Sequence, residues 1–439
     1  MNTQRLEDIA AFIVSEARRL GATDCDVAIS AHSAAETAVR MGAVEQLESN
    51  QGRRLRFRAF AGQKSASTST SDFARRSLTK MVRDTLVLAR ASEPDQFAGL
   101  PDQKLLATAI ADLGLCDDRL GKLTPDRRIA LALQAESAAL AADKRLTNSE
   151  GASFSDRASV AVYANSRGFL GSYRSTACSL QVAVVASEGE QMQVGDWSSS
   201  SRHFDRLEDG QVVGRKAAAR ALGQLGARKV KSQQVPVVFD PRMAGSLLGQ
   251  FAGAAYGSAI YRNSSFLVGK LGEMVADKSV QIIDDGLMPG ALGSRPFDDE
   301  GLPTRKRTIV GNGRLESYFL DSYSARKLGT TPNAGGISNL YLQAGSSSPV
   351  EIMASVKCGL YLTKVSGPGF NIVTGDYSRG AAGIWIEDGQ LAYPVEEITI
   401  AGNVLDMFGA IEAIGNDLTF RSSVSAPTIK IGRMMVAGE

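Results

Sequence analysis

Only two histidines, His32 and His203, serve a chain of 439 residues, and neither belongs to a ligand-spaced motif. Imidazole ligates zinc and titrates near neutrality, so metal centres and most acid-base triads are thinned at once. The four cysteines, Cys25, Cys116, Cys178 and Cys358, are too far apart for a zinc cluster and fit the reduced thiols of a cytoplasmic protein. A serine nucleophile would then need lysine as its base. Two Ser-x-x-Lys spacings occur, Ser324 to Lys327 and Ser77 to Lys80, without a Ser-Asp-Asn or Lys-Thr-Gly partner. Ser378, within Asp376-Tyr377-Ser378-Arg379-Gly380, lacks the leading glycine of a nucleophile elbow. Asp284-Asp285 and Asp298-Asp299-Glu300 carry oxygen donors for a cation or an acid-base pair, but both lie in Gly/Pro-rich stretches that predict solvated turns. Gly367-Pro368-Gly369 and Gly311-Asn312-Gly313 fail as phosphate loops, having no third glycine at the required offset.

The elements that would position these residues divide into two kinds. Residues 1–234 hold 16 of the 44 glycines and 3 of the 13 prolines, so the shorter remainder is far richer in turns. That contrast predicts an α+β chain of two domains: an N-terminal mixed α/β domain over residues 1–230 and a C-terminal β-rich domain over residues 235–439, a curved or barrel-like sheet around a central helix. Periodicity predicts helices from Leu6 to Leu20, from Asp72 to Ala91 with Ser71 or Asp72 as cap, and from Thr124 to Ala142. A fourth is expected near Gly214 to Leu225. Strands are expected around Cys25 to Ala31, Arg54 to Arg58, Ser159 to Ala164, Leu180 to Val185 and Val235 to Phe239. Further strands follow at Val280 to Ile283, Arg307 to Val310, Glu316 to Leu320, Glu351 to Lys357, Tyr361 to Val365, Gly383 to Ile386 and Glu397 to Ile400, with a last helix at Val404 to Ala413. The 49 Lys and Arg against 47 Asp and Glu leave no basic excess for nucleic acid or an anionic membrane, and Arg54, Arg56 and Arg58 read as the wet face of a strand. Glu7 and Asp8 sit where a signal peptide would be basic.

The uncharged stretch from Met243 to Tyr261 approaches membrane-spanning length, but its glycines, serines and Gln250 suit a buried core helix better than lipid. Gly245, Gly249, Gly253 and Gly257 recur every fourth residue, which on one helix makes a bare stripe. Such a stripe admits a close-packed neighbour or an extended peptide.

From this helix onward the chain resembles the TldD/TldE (PmbA) family. The resemblance rests on Ser264-Ser265-Phe266 with Gly269-Lys270-Leu271-Gly272-Glu273, Ile283-Asp284-Asp285-Gly286, the run from Tyr318 to Gly329, Thr374 to Ser378, Ile398 to Asn403, Gly415-Asn416-Asp417-Leu418 and Ala426-Pro427. It implies a cytosolic zinc metalloprotease of two related subunits. The catalytic one carries His-Glu-x-x-x-His on this helix and a cysteine near its C-terminus, so that two imidazoles and a thiolate hold zinc while Glu acts on the bound water. Here the matching stretch is Leu248-Gly249-Gln250-Phe251-Ala252-Gly253, and residues 416–439 contain no cysteine. Leu248, Gly249 and Gly253 thus stand at vacated positions.

The chain is similar to the family's non-catalytic, TldE-type subunit. That implies no cofactor of its own, zinc in a TldD-like partner, and a chamber in which unfolded peptides are cleaved. Gly245, Gly257, Asp321, Tyr323, Ser324, Asn371, Thr374, Asp376 and Ser378 are the candidates for lining it, offering hydrogen bonds to an extended peptide backbone. The family's roles include peptide-antibiotic maturation, antitoxin degradation and modulation of DNA gyrase. Two other readings stay open. A self-sufficient hydrolase would use Ser324 and Lys327 or the acidic pairs and keep its activity in chelator, whereas a peptide-binding or gyrase-modulating module would act with no protease partner.

Overall fold

The alternation of Cys25, Val27, Ile29 and Ala31 continues far beyond those residues. The computed structural model describes residues 2–438. After helix α1 (Thr3–Arg19), strands β1 (Asp24–Arg40), β2 (Ala43–Ala61) and β3 (Lys64–Thr70) form a meander, followed by α2 (Arg75–Ala91) and α3 (Pro125–Leu140). Then come β4 (Leu146–Asn165), β5 (Leu170–Glu188), β6 (Gln191–Ser201) and α4 (Gly210–Leu222). The six strands make one antiparallel sheet in the order β3-β2-β1-β4-β5-β6. Leu6, Ile13, Leu78 and Val82 of α1 and α2 pack on Val27, Ile29, Leu55, Phe57 and Val162, while α3 and α4 pack on Phe154, Leu180 and Val182. Every one of these strand residues lies on the same face, so all four helices cover one side. The opposite face carries Ser30, His32, Arg56, Ser155 and Ser179.

Two local expectations here need correction. The strands near 159–164 and 180–185 are more than three times as long, 20 and 19 residues, because small Ser and Ala residues break the apolar pattern without breaking the pairing. The second helix starts at Arg75 after the uncapped Ala74, and Asp72 instead closes a turn by accepting from the Ala74 N–H at 2.9 Å.

The second half begins with β7 (Gln233–Phe239), α5 (Pro241–Ala254) and the short α6 (Gly257–Tyr261). It continues with β8 (Ile282–Asp285), β9 (Lys306–Gly311), β10 (Arg314–Leu315), α7 (Ser322–Lys327), β11 (Leu340–Leu342) and α8 (Pro349–Ala354). The chain finishes with β12 (Cys358–Ser366), β13 (Asp376–Glu387), β14 (Gln390–Asn403), α9 (Val404–Gly409), β15 (Ile411–Ile414), β16 (Val424–Ser425) and β17 (Ile429–Ala437). Strands β14-β13-β12-β7-β17 pair in sequence, and β14 pairs again with β17, which closes a barrel with β15 on its flank. A smaller sheet runs β10-β9-β8-β11-β16. Helix α5 packs against β7 and β12 of the barrel and against β11 and β16 of the smaller sheet. Leu247, Leu248 and Phe251 drive this, joining Phe239, Phe266 and Phe408 in one core; each large apolar side chain so buried contributes about 1.5–3 kcal/mol.

Asn312 and Gly313 both adopt positive φ and turn β9 into β10, as their types predict. The strand expected at Glu351 to Lys357 is helix α8 instead: Ser348 and Glu351 form a reciprocal capping box and Pro349 takes the first helical position, and these signals outweigh the short apolar alternation. Residues 316–320 belong to no strand apart from one bridge of Phe319 to Tyr256. That bridge also divides the long central helix. Phe319 N–H donates to Ala255 O at 2.9 Å and Gly257 N–H donates to Phe319 O at 2.8 Å, so the helix stops at Ala254 and restarts at Gly257. Among the described residues no helix is long and apolar enough to cross a membrane.

Candidate functional site

Helix α5 opens at Asp240, whose carboxylate accepts from Met243 N–H at 2.8 Å and pairs with Arg220 at 3.0 Å. The cap thereby fixes where the helix starts and how its faces point. Leu248 points into the core and is 1% exposed. Gly249 lies beside Val424, whose methyl would be 3.9 Å from an added Cβ, and a Cβ on Gly253 would meet nothing within 4 Å. The bare stripe therefore holds for Gly245, Gly249 and Gly253, but Gly257 belongs to a separate helix and packs on Ser324.

Gly245 borders a cleft of about 370 Å³ lined by Ser198, Arg242, Ser246, Arg421 and Ser422. Its cationic side is organised by Trp197. The Arg421 and Lys216 charges sit 4.5 and 4.8 Å from the ring centre, with Arg220 and Arg242 at 5.5 and 5.7 Å. Glu208 accepts from the Trp197 indole at 3.2 Å, from Lys216 at 2.7 Å and from Arg421 at 3.0 Å. Burial alone would push the Glu208 carboxyl up, and these donors together hold it below its ordinary value. The result is a polar cleft of hydroxyls and guanidiniums at the start of α5, suited to carboxylate or peptide carbonyl oxygens. Sequence reasoning missed it, since its residues come from three separate segments, at 198, 241–246 and 419–426, and no local spacing signals their meeting.

The remaining chamber candidates fall into two groups with no hydrogen bond or ring contact between them. In the first, Asp321 caps α7, accepting from Ser324 N–H at 2.7 Å and from Ser324 Oγ at 2.5 Å. Tyr323 faces the N-terminal half, donating to Asp95 at 2.8 Å, and that bond pushes its phenol up to about 12. In the second, Asn371, Thr374, Asp376 and Ser378 are all exposed. Thr374 Oγ1 donates to Asp376 at 2.6 Å, and Asn403 Nδ2 reaches the Thr374 carbonyl at 2.9 Å.

Lys327 is turned away from Ser324, its ammonium 4.2 Å from the centre of the Phe97 ring, so the Ser-x-x-Lys pair is not assembled. Lys80 likewise pairs with Asp84 at 2.5 Å. The acidic pairs, expected in solvated turns, are partly buried. Asp284 is 1% exposed and forms an ion pair with Arg307 at 3.0 Å, while Asp298 is 5% exposed and accepts from the N–H groups of Glu300 and Leu302 at 2.9 and 2.8 Å. Period-2 alternation around Asp284 put it on the inner face of β8, a position its charge disguised. Arg58, assigned to a wet face, pairs with the fully buried Asp26. His203 binds the Gly114 carbonyl at 2.7 Å, and His32 lies over Gly52.

Residues 232–438 match the PmbA/TldA metallopeptidase C-terminal domain, and residues 118–225 match the central domain of the same proteins. Metalloprotease PmbA of Escherichia coli O157:H7 is 38% identical over 416 residues, covering 94% of this chain and 92% of that protein. The chain belongs to the PmbA/TldD metallopeptidase family. A PmbA homologue of Haemophilus influenzae is 36% identical over 438 residues, 99% of this chain and 96% of that one. A solved structure from Bacteroides thetaiotaomicron, described as a candidate modulator of DNA gyrase, superposes with a TM-score of 0.95 at 30% identity over the whole of both chains. TldE from Thermococcus kodakarensis, at 19% identity and a TM-score of 0.87 over 98% of this chain and 100% of that one, shares the fold.

The family's metal can be tested against the donors that this PmbA/TldD-family chain provides. An isobutyl group and two hydrogens stand at 248, 249 and 253, and none offers a lone pair. Among the described residues no three His, Cys, Asp or Glu side chains converge elsewhere. These residues do not fit zinc.

Proposed function

We propose that this chain is the non-catalytic subunit of a heteromeric cytoplasmic metalloprotease, paired with a TldD-like chain that supplies the zinc and the general base. The observation that carries the reading is the chemistry at Leu248, Gly249 and Gly253: where the resemblance expects two ligands and a base, these three side chains offer no donor atom. The division into domains of residues 1–230 and 235–439 belongs to the same reading. The cleft beside Gly245 and the exposed loop from Asn371 to Ser378 line the chamber, joined by Gly257 and the Asp321 to Ser324 turn, and an unfolded peptide is held there through its backbone. Hydrolysis takes place on the partner.

The test is to purify this chain, a TldD-like chain carrying His-Glu-x-x-x-His, and their mixture, then assay zinc and casein-type peptide cleavage in each. Cleavage is expected only where the TldD-like chain is present and to rise on mixing, with no stoichiometric zinc in this chain alone. Chelator-sensitive cleavage by this chain alone, with one zinc bound, would overturn the reading.

A further inference from the structure

The cations gathered at the cleft beside Gly245 outnumber the carboxylates bonded to them. Asp196 pairs with Arg242 at 2.8 Å and Asp240 with Arg220 at 3.0 Å, one carboxylate to each guanidinium. Glu208 alone serves both Lys216 and Arg421, at 2.7 and 3.0 Å. The four cations around Trp197 therefore share three carboxylates, and one positive charge is left over within the cluster. It falls on the side of the cleft. Lys216 is not among the lining residues, whereas Arg421 is, with its side chain 32% exposed.

Arg421 gives Glu208 only its Nη1, and its Nε and Nη2 N–H groups have no acceptor among the described residues. Those two groups lie on one edge of the guanidinium. They form the fork through which Arg119 of this same chain holds Asp117, with both bonds at 2.8 Å. The hydroxyls of Ser198 on β6 and Ser246 on α5 also face the cleft, exposed and without a partner among the described residues. No acidic residue lines it; Glu36, Glu45, Glu150 and Asp196 line a separate cleft that meets this one at Ser198 and Arg242. A single carboxylate supplies the missing charge, takes the guanidinium fork with two oxygens and accepts from the hydroxyls. At about 370 Å³ the cleft is at the small end of ligand pockets, with room for the end of a chain rather than for a strand passing through.

We infer that this cleft takes the C-terminal carboxylate of the peptide, on the fork of Arg421 with Ser198 and Ser246 beside it, so that substrates are held by their chain end. The inference rests on the proposal that unfolded peptides occupy this cleft, and its test begins with this chain alone.

The experiment measures, by fluorescence anisotropy, binding of a short N-terminally labelled peptide of Gly, Ser and Ala to the full chain at about 50 mM salt. The peptide is offered as the free acid, as the C-terminal amide, and as an amide carrying one internal Glu. The free acid should bind about tenfold or more tighter than either amide. Ser246→Glu sets a carboxylate of the chain's own in the cleft without removing a hydrogen bond, and should abolish that preference. Ser246→Gln, of the same size, should keep it, and thermal melting checks that both variants fold. In the mixture with the TldD-like chain, the amide should raise KM about tenfold and leave kcat nearly unchanged. Equal binding of acid and amide, a Glu-containing amide that binds as well as the acid, or a preference that Ser246→Glu leaves intact would each overturn the inference. Cleavage of acid and amide with equal KM would overturn it while leaving the partner reading in place. A mixture without cleavage, beside a lone chain that still prefers the acid, would remove the partner reading and leave this one.

Discussion

Gly257 and Ser324 approach so closely that a Cβ on the glycine would lie 2.4 Å from the serine Oγ and 2.5 Å from its Cβ. Ser324 cannot easily yield, because Asp321 holds its hydroxyl at 2.5 Å and its N–H at 2.7 Å. Gly257→Ala is therefore expected to cost about 1–3 kcal/mol by overpacking. Gly249→Ala should do the reverse: it is interior to α5, its added methyl would meet only Val424 at 3.9 Å, and helix propensity favours it by roughly 0.5–1 kcal/mol. Urea unfolding of the two variants separates these cases, and equal effects would refute the division of the glycine stripe into two helices.

Asp284 and Arg307 make a buried pair whose partners are otherwise satisfied. Arg307 reaches Asn333 O and Gly336 O at 2.5 and 2.7 Å, and Asp284 accepts from Ser338 N–H at 2.7 Å. Burial pushes the Asp284 carboxyl up and the Arg307 guanidinium down, each partly offset by the other. Asp284→Ala leaves a charge, 9% exposed, facing a void, and a loss of about 3–5 kcal/mol is expected in chemical denaturation.

Asp298 should give the fold an unusual pH dependence. Burial raises its carboxyl from 3.8 to about 6, against the pull of the Glu300 and Leu302 N–H groups and of Arg295; Glu300 adds like charge. Between those values the folded chain keeps a proton that the unfolded chain has shed. The contribution is present below about pH 4 and lost as pH rises through 6, amounting to about 2–3 kcal/mol. Asp298→Asn retains an oxygen for both N–H donors and removes the titration, so the variant should gain stability relative to wild type from pH 4 to 7. A constant difference across that range would refute the assignment.

How much of this was legible beforehand depended on how local the signal was. The Thr124 cap, the Asp240-Pro241 helix start and the Asn312-Gly313 turn were readable, since each is decided within four residues and each matches the structure. The vacated positions on α5 were readable through resemblance alone. The break at Ala255 was not, because Phe319, more than sixty residues away, supplies the bridge that interrupts the helix. Nor was the burial of Asp26 and Asp284, whose carboxylates look solvated until Arg58 and Arg307 are seen across neighbouring strands.

Asp376 offers the sharpest test of the proposed chamber lining. It is exposed, and its carboxylate accepts from Thr374 Oγ1 at 2.6 Å and from Asn403 Nδ2 at 3.3 Å. Asp376→Ala should leave the melting temperature within about 2 °C and complex formation with the TldD-like chain intact, while lowering peptide cleavage several-fold. Asp321→Ala serves as the contrast: it removes the α7 cap and should cost about 1 kcal/mol as well. Unchanged cleavage by both variants, in complexes of normal affinity, would remove these loops from the chamber.

Trp197 gathers cations from three segments, Lys216 and Arg220 on α4, Arg242 at the start of α5, and Arg421 just before β16, so it ties the first sheet to the second half of the chain. Trp197→Leu keeps apolar volume but removes the π face and the indole N–H that Glu208 accepts. Cation–π contacts contribute about 0.5–2 kcal/mol each and do not add, so a total loss of about 2–4 kcal/mol is expected. The segment from 419 to 426 should exchange its amides faster, because Arg421 then keeps only Glu208. A double-mutant cycle with Arg421→Ala isolates the shared term, and a coupling of at least about 0.5 kcal/mol is expected. If the cycle closes at zero and exchange over 419–426 is unaltered, the ring is not what holds that wall of the cleft in place, and the Glu208 ion pairs alone suffice.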